Sequence, residues 1–209
     1  NGYPYCRGRI FGTCERDHGQ YDSVADVFWA SGACFFVRRG LYISAGGLDR
    51  AFFAHMEEID LCWRIHLAGY RVAAVPSAVV YHLGGGSLPA ENPRKTYLNF
   101  RNNLLMLHKN LPASCRRGKL FRRRLLDTLA WTKYVLTFDF ANAAAILKAH
   151  RDFSRMRTSY ASCTDLPGAR SADAGILPDD ARSRINILFS YYVLRRRRFS
   201  QIFPSCDNS

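Results

Sequence analysis

Apolar positions recur with a helical period between residues 56 and 67. Their spacing of three and four residues predicts a helix with one buried face, made by Ile59, Cys62, Trp63 and His66. The polar positions 57, 60 and 64 fall on the other faces of this helix. Gly69 is placed to end the helix, because glycine readily adopts the left-handed backbone that follows many helices.

The segments on either side of this helix predict a mixed α/β arrangement. The pair Gly46-Gly47 stops the preceding segment and leads into a loop over residues 48–53. After Gly69, residues 71–75 and 78–82 predict β-segments that Pro76 interrupts, and three glycines at 84–86 end them. Mixed apolar and polar positions predict a second helix over residues 97–110, which Leu111-Pro112 breaks.

Three carboxylates and one imidazole lie close together in this part of the chain, at Glu57, Glu58, Asp60 and His82. Such a set can supply a general base and a metal ligand for group-transfer chemistry. It also has a structural interpretation, since carboxylates in the first turn stabilise a helix and Asp60 is placed to form an ion pair with Arg64 one turn later. The residues alone leave both interpretations open.

The order of the motifs resembles one enzyme family. The strings WASGACFFVRR, GGLDRAFFAHMEEIDLCWRIHLAGYRV and PSAVVYHLGGGS resemble the second half of the catalytic domain of family 2 glycosyltransferases, over about residues 24–110. The strings GRIF and HGQYD resemble an acceptor-side loop of a subgroup common in Bacteroidetes, in which KTYLNFRNNLLMLHKNLP also recurs. The resemblance implies an α/β fold in which residues 1–112 are the C-terminal, acceptor-side half of a GT-A (nucleotide-diphospho-sugar transferase) domain.

The resemblance also assigns roles to individual residues. Glu58 matches the general base of an inverting sugar transfer, as the second member of an acidic pair with Glu57, and Asp60 is the next catalytic candidate. Ser31-Gly32-Ala33 match the segment that lines the donor and acceptor cleft. His82 matches a histidine that helps to hold a divalent cation, Mg²⁺ or Mn²⁺. The implied substrates are a nucleotide-sugar donor and a glycan or lipid-linked acceptor of bacterial surface polysaccharide synthesis.

Two features depart from the family pattern. Glu58 stands where aspartate is usual, which lengthens the side chain of the base by one methylene. The chain also contains no Asp-x-Asp sequence and begins with Asn1. We therefore expect it to be the C-terminal part of a longer protein, with the main metal ligands upstream, and to be inactive on its own.

Charge is unevenly distributed along the chain. Residues 1–99 contain 10 lysines and arginines against 9 acidic residues, whereas residues 100–209 contain 20 against 8. Residues 113–209 are expected to be a mostly α-helical basic tail, in which basic clusters alternate with amphipathic runs such as INILFSYYVL before the arginines at 195–198. Residues 159–180 have the composition of a linker. The basic clusters are residues 195–198 and, earlier, Arg116, Arg117, Lys119, Arg122, Arg123 and Arg124.

Three interpretations of the tail are open. Arginines beside aromatic and aliphatic side chains suit an anionic membrane surface, and we favour this interpretation, with a cytoplasmic location peripheral to the inner membrane. A solvated helical face without a partner is the second. Nucleic acid is the third and is not expected, since the aromatic side chains lie inside apolar runs and no nucleic-acid motif accompanies them.

Composition is that of a globular protein, with 48% hydrophobic and 13% aromatic residues. Seven cysteines without a Cys-x-x-Cys pair indicate a reducing compartment, and Cys34 and Cys62 lie in apolar surroundings that predict burial. Two classes of function remain at this point. One is an inverting glycosyltransferase, and the alternative is a non-catalytic basic module that docks to membrane or nucleic acid.

Overall fold

The strands of this protein are very short. The computed structural model describes residues 2–82, 92–160 and 185–203, and within these ranges helices predominate. Strand β1 (Arg9–Ile10) pairs with β2 (Thr13–Cys14), and β3 (Ala25–Asp26) pairs with β4 (Ala73–Ala74), both antiparallel. A mixed α/β class is therefore confirmed, while the assignment to half of a GT-A domain stays a prediction.

Helices build most of the described structure. Their bounds are Arg39–Ser44 for α1, Glu57–Leu67 for α2, Pro93–Asn110 for α3, Ala113–Leu136 for α4, Phe140–Met156 for α5 and Phe199–Ile202 for α6. Short 3₁₀ turns cover Arg50–Phe52 and Arg157–Ser159, and a π-helix covers Phe189–Val193.

Both helices that the periodicity predicts are confirmed as α2 and α3. Helix α3 begins four residues earlier than predicted, because the Asn92 side chain accepts a hydrogen bond from the Arg94 N–H and Pro93 occupies the first turn. The predicted break is also confirmed, since Leu111 ends α3 and Pro112 precedes α4. Gly69 follows α2 with a φ of +88°, the left-handed conformation expected of it.

The main hydrophobic core lies between α2, α3 and α5. It joins Trp63 of α2 to the run Leu104, Leu105, Met106 and Leu107 of α3 and to Phe153 of α5. A second cluster packs Ile10 of β1 against Ile187, Phe199, Ile202 and Phe203 near the C-terminal end. The main core thus contains residues from both sides of position 112, and the domain boundary at that position stays a prediction.

Two local predictions are wrong. Residues 78–82 form no strand, because β3 pairs only with Ala73–Ala74, and Val79, Val80 and Tyr81 are exposed. Cys34 is exposed in a surface turn, whereas Cys62 is buried in α2 as expected. The glycines at 84–86 and residues 161–180 of the predicted linker lie outside the described residues.

The predicted exposure of Arg123 is wrong as well. The sequence pattern groups it with the basic residues of the tail, but its side chain is only 3% exposed and pairs with Asp127 of the same helix. Its Nε donates to Asn103 Oδ1 at 2.8 Å, and its guanidinium lies 4.0 Å from the ring centroid of Tyr3. Burial raises the pKa of Tyr3 to about 12. Arg123 therefore links α4 to α3 and the N-terminal segment and is not available to a partner.

Candidate functional site

Glu57 and Glu58 lie in the first turn of α2, and both are half-buried. Burial raises the pKa of Glu58 above its ordinary value, and the negative charge of Glu57 raises it further. Hydrogen bonding from the backbone N–H of Glu58 itself, and then from those of Gly32 and Ile59, acts in the opposite direction but does not outweigh them. A carboxylate whose pKa is raised toward neutrality is better matched to general-base work than an exposed one.

The segment before Gly32 runs antiparallel along α2. His66 Nε2 lies 3.0 Å from the Phe28 carbonyl oxygen, the Ala30 N–H donates to Cys62 Sγ at 3.5 Å, and Gly32 reaches Glu58. Each step of two residues along the segment therefore meets a residue four positions earlier in the helix.

This register brings the predicted cleft segment to the predicted base. Gly32 lies next to Glu58. A Cβ atom added to this glycine would be 3.8 Å from Glu58 Cβ, which is an ordinary van der Waals contact. Ser31 and Ala33, on either side of Gly32, are exposed. His66, which the pattern placed in the apolar stripe, is half-buried and holds the register through Phe28, whose ring stacks on the imidazole with centroids 5.3 Å apart.

The backbone that enters α2 is strained. Phe53, His55 and Met56 have φ values of +64°, +69° and +73°, in the region that side chains other than glycine seldom adopt. Such strain persists only where the surroundings enforce it, and it concentrates at functional sites. Asn102 of α3 enforces it here, since its side-chain amide donates to the carbonyl oxygens of Phe52, Ala54 and His55 at 2.9, 2.8 and 2.8 Å.

Three buried polar atoms without a hydrogen-bond partner among the described residues belong to the residues of this entrance. They are His55 Nε2, Glu57 Oε2 and Glu58 Oε2. Burial, with the nearby Lys95 charge, lowers the pKa of His55 and keeps its imidazole neutral at pH 7. Buried polar groups are nearly always hydrogen-bonded, so unpaired ones at the entrance of one helix make this entrance a candidate functional site.

Asp60 is in a different environment from the glutamates. It is 0% exposed, and its Oδ2 accepts hydrogen bonds from Arg64 at 2.7 Å and from Lys109 at 3.0 Å, while its Oδ1 accepts from Asn110 at 2.7 Å. Lys109 also reaches Asp49 at 2.9 Å. With both oxygens occupied, the geometry favours the structural ion pair, and a catalytic role for Asp60 stays a prediction.

The described residues do not make a metal site on their own. His82 is exposed, and within the described ranges it has no hydrogen bond or ion pair. No group of three or more histidine, cysteine or carboxylate side chains that could hold a metal occurs in the described part of the chain. The role of His82 as a metal ligand stays a prediction.

Several residues that hold the site were missed by sequence reasoning. They are polar residues of α3 that face the core, namely Arg101, Asn102, Lys109 and Asn110. Arg101 adds hydrogen bonds to the Ala51 and Phe52 carbonyl oxygens at 2.7 and 3.1 Å. Their signal was present as polar positions inside an otherwise apolar helical run, but the pattern does not show which distant carbonyls they meet.

Comparison with known proteins matches one part of the chain. Over 70 residues the chain is 40% identical to the N-acetylglucosaminyl-diphospho-decaprenol L-rhamnosyltransferase of Mycobacterium tuberculosis, found in two strains. Over 61 residues it is 38% identical to the rhamnosyltransferase WbbL of Escherichia coli K12. Part of this chain is thus similar to rhamnosyltransferases. A relationship with glycosyltransferases is therefore supported, as the motifs predicted.

The match covers a small part of this chain and of its relatives. The matched regions are 34% and 29% of this chain, and the chain spans less than a quarter of these relatives, 23% and 22% of their lengths. No family model matches the chain, and no solved structure matches it either. The relatives come from Mycobacterium tuberculosis and Escherichia coli, so they do not support the Bacteroidetes subgroup, and family 2 membership stays a prediction.

Proposed function

We propose that this chain is part of an inverting glycosyltransferase of family 2 that moves a sugar from a nucleotide-sugar donor to a lipid-linked glycan acceptor. The observation that carries the proposal is the group of unpaired buried atoms at His55, Glu57 and Glu58. The raised pKa of Glu58 and its contact with Gly32 support the same function. The similarity to rhamnosyltransferases supports the class of reaction.

In the proposed reaction Glu58 is the general base. Its free Oε2 accepts the proton of an acceptor hydroxyl as that oxygen attacks the anomeric carbon of the donor. The attack comes from the face opposite the nucleoside diphosphate, so the configuration at this carbon is inverted as its bond to the diphosphate breaks and the leaving group departs with the electron pair. Glu57 Oε2 and the neutral His55 Nε2 are available to hydrogen-bond sugar hydroxyls and orient them.

The name of one relative supports the proposed class of acceptor. The mycobacterial relative is named for an acceptor that carries a sugar on a diphospho-decaprenol. We propose the same chemical class for this chain, with rhamnose as the first donor sugar to test, within surface polysaccharide synthesis. The divalent cation, Mg²⁺ or Mn²⁺, and His82 as one of its ligands belong to the proposal through the family resemblance alone. Weaker Mn²⁺ binding by His82→Ala, measured by titration calorimetry, would support that part of it.

Docking on an anionic membrane is the second function that we propose, and it is compatible with the first. Helix α4 exposes an apolar stripe of Phe121, Leu125, Leu129 and Leu136, each more than half exposed, beside the exposed Arg117, Arg122 and Arg124. In the described part of the chain, no helix is long and apolar enough to cross a membrane. We propose a position at the cytoplasmic membrane surface, where a lipid-linked acceptor is found.

The test of the transferase proposal is Glu58→Gln, made in a full-length protein that contains this chain. The substitution keeps size and removes the base, so we expect kcat to fall by about 10² to 10⁴ while donor binding is retained. Asp22→Asn, which removes an exposed carboxylate, is the matched control and should keep its activity. Turnover of a correctly folded Glu58→Gln protein within a factor of about two of the wild-type rate would overturn the assignment.

A further inference from the structure

A pocket of about 640 Å³ opens between the first turns of α3 and α5. Its volume lies within the usual range for sites that bind small molecules, roughly 300–1,000 Å³. Its floor is apolar and is made by Leu98, Ala144 and Ala145, with Phe53 at one side. Because the alanine side chains of α5 are small, they leave space above the floor of the pocket.

Three cationic side chains line the same pocket. The Arg94 guanidinium lies 4.7 Å from the Phe53 ring centroid, and Lys148 Nζ and the Arg101 guanidinium lie 4.8 and 5.1 Å from the ring centroid of Tyr97. Aromatic faces hold cations at such distances and so fix where their charge is presented.

Among the described residues, none of these three cationic side chains is in an ion pair with a carboxylate. Arg101 donates to neutral acceptors, among them the Tyr97 hydroxyl and the Ala51 carbonyl. The nearby carboxylate of Asp152 accepts from the Tyr97 hydroxyl at 2.9 Å and is not part of the lining. The pocket therefore combines an apolar floor with net positive charge.

The position of the pocket relates it to two other features. Phe53 belongs to the strained segment that leads into Glu57 and Glu58, so one side of the pocket adjoins the candidate site. Ala141 lines the opposite side, next to Phe140, and Phe140 and Phe138 at the turn between α4 and α5 are 61% and 81% exposed. Exposed aromatic side chains beside basic ones are typical of a surface that meets lipid.

We propose that this pocket binds an amphiphilic phosphate, namely the diphosphate and first prenyl units of the lipid-linked acceptor. The diphosphate lies against Arg94, Arg101 and Lys148, and the prenyl chain runs over the alanines toward Phe138 and Phe140. This inference rests on the proposed function and extends it to a substrate-binding site. A small inorganic anion would leave the apolar floor unused, and an uncharged prenol would leave the three cations unpaired.

The test is titration calorimetry on the whole 209-residue chain with farnesyl diphosphate as the probe. Inorganic pyrophosphate, farnesol and a short-chain phosphatidylglycerol are run beside it below their micellar concentrations. We expect farnesyl diphosphate to bind at least about tenfold more tightly than each of the three. Equal affinity for phosphatidylglycerol would show a general site for anionic amphiphiles and would overturn the proposal.

Two variants test whether farnesyl diphosphate binds in this pocket. The double substitution Arg94→Gln with Lys148→Gln removes two exposed cations of the lining, and Ala144→Phe fills the floor from an exposed helix position. Each should weaken farnesyl diphosphate binding at least about tenfold. The matched control removes two exposed cations away from the pocket, through Arg39→Gln with Lys133→Gln, and should bind as the wild type does. Circular dichroism melting confirms that every variant is folded.

The outcomes separate this inference from the proposed function. Unchanged binding in both pocket variants would overturn the pocket, even if sugar transfer by the full-length protein is observed. Loss of binding in both, with no sugar transfer found for any donor, would leave the pocket standing and reject the transferase. In a full-length protein that is active, the pocket variants should raise KM for the lipid acceptor and leave KM for the donor unchanged.

Discussion

The side-chain amide of Asn102 donates a hydrogen bond to the carbonyl oxygen of His55, at a distance of 2.8 Å. The two residues are 47 positions apart, and the bond holds a backbone that is in the left-handed region at His55 and Met56. Because Glu57 and Glu58 follow at once, the placement of the candidate base depends on a residue of another helix. Asn102 is thus a positioning residue in the proposed site.

Replacing Asn102 with alanine should destabilise the protein. The substitution leaves the carbonyls of Phe52, Ala54 and His55 without this donor, and we expect the free energy of unfolding to fall by roughly 2–4 kcal/mol. Urea denaturation followed by circular dichroism measures it. Asn99→Ala is the matched control, since Asn99 lies on the same helix and has no side-chain hydrogen bond among the described residues. Equal losses in the two variants would contradict the positioning role.

The raised pKa of Glu58 predicts a pH-dependent effect on stability. A carboxyl group whose pKa is higher in the folded than in the unfolded state is destabilising when ionised, and this penalty grows as pH rises from the unfolded to the folded pKa. Glu58→Gln should therefore increase the free energy of unfolding at pH 7 and change it by less than about 0.5 kcal/mol at pH 3. Urea titrations at the two pH values measure the difference. A variant less stable than wild type at pH 7 would contradict the burial argument.

Asp60 should prove essential for stability. Asp60→Asn leaves the buried charges of Arg64 and Lys109 without their shared partner, which typically costs roughly 3–5 kcal/mol. The control is Asp26→Asn, which breaks an ion pair with Arg71 whose side chains are 56% and 81% exposed and should cost less than about 1 kcal/mol. Thermal and urea unfolding of both variants make the comparison. An Asp60→Asn protein of normal stability that had lost sugar transfer would instead support a catalytic role.

The basic tail should bind anionic membrane through charge and apolar insertion together. Residues 195–198 are four exposed arginines, and Phe189 and Tyr192 are 50% and 66% exposed. Neutralising the four arginines should weaken binding by roughly 1 kcal/mol per charge at low salt. Replacing Phe189 and Tyr192 with serine should weaken it at high salt as well, because salt does not screen insertion.

Co-sedimentation with vesicles, with and without anionic lipid, measures this binding beside a duplex DNA sample. The matched control neutralises four exposed arginines of the other half of the chain, Arg16, Arg38, Arg39 and Arg50, and should retain binding. Arg123 is not part of the predicted surface, because it is buried in its ion pair with Asp127. Equal retention on neutral and anionic vesicles, or a preference for DNA, would reject the membrane surface.

The amino-acid sequence by itself determined two helices, α2 and α3, and the points at which they end. Apolar spacing placed α2 within one residue of its bounds, Gly69 predicted its end, and Leu111-Pro112 predicted the break between α3 and α4. These features are local, since a helical period, a cap and a proline act within a few residues. The same local pattern put Glu57 and Glu58 together in one first turn.

Only the tertiary structure decided which of these residues are paired and which are free. The sequence predicted an ion pair of Asp60 with Arg64 and placed Arg123 in a basic cluster, but Lys109 and Asn103, from another helix, complete the buried networks of these two residues. The contact of Gly32 with Glu58 depends on a segment that follows α2 in the opposite direction, from Phe28 at His66 to Ala30 at Cys62. Residues 78–82 had the pattern of a strand and found no partner strand. Burial and pairing depend on groups far apart in the chain, and a sequence pattern with a range of a few residues does not contain them.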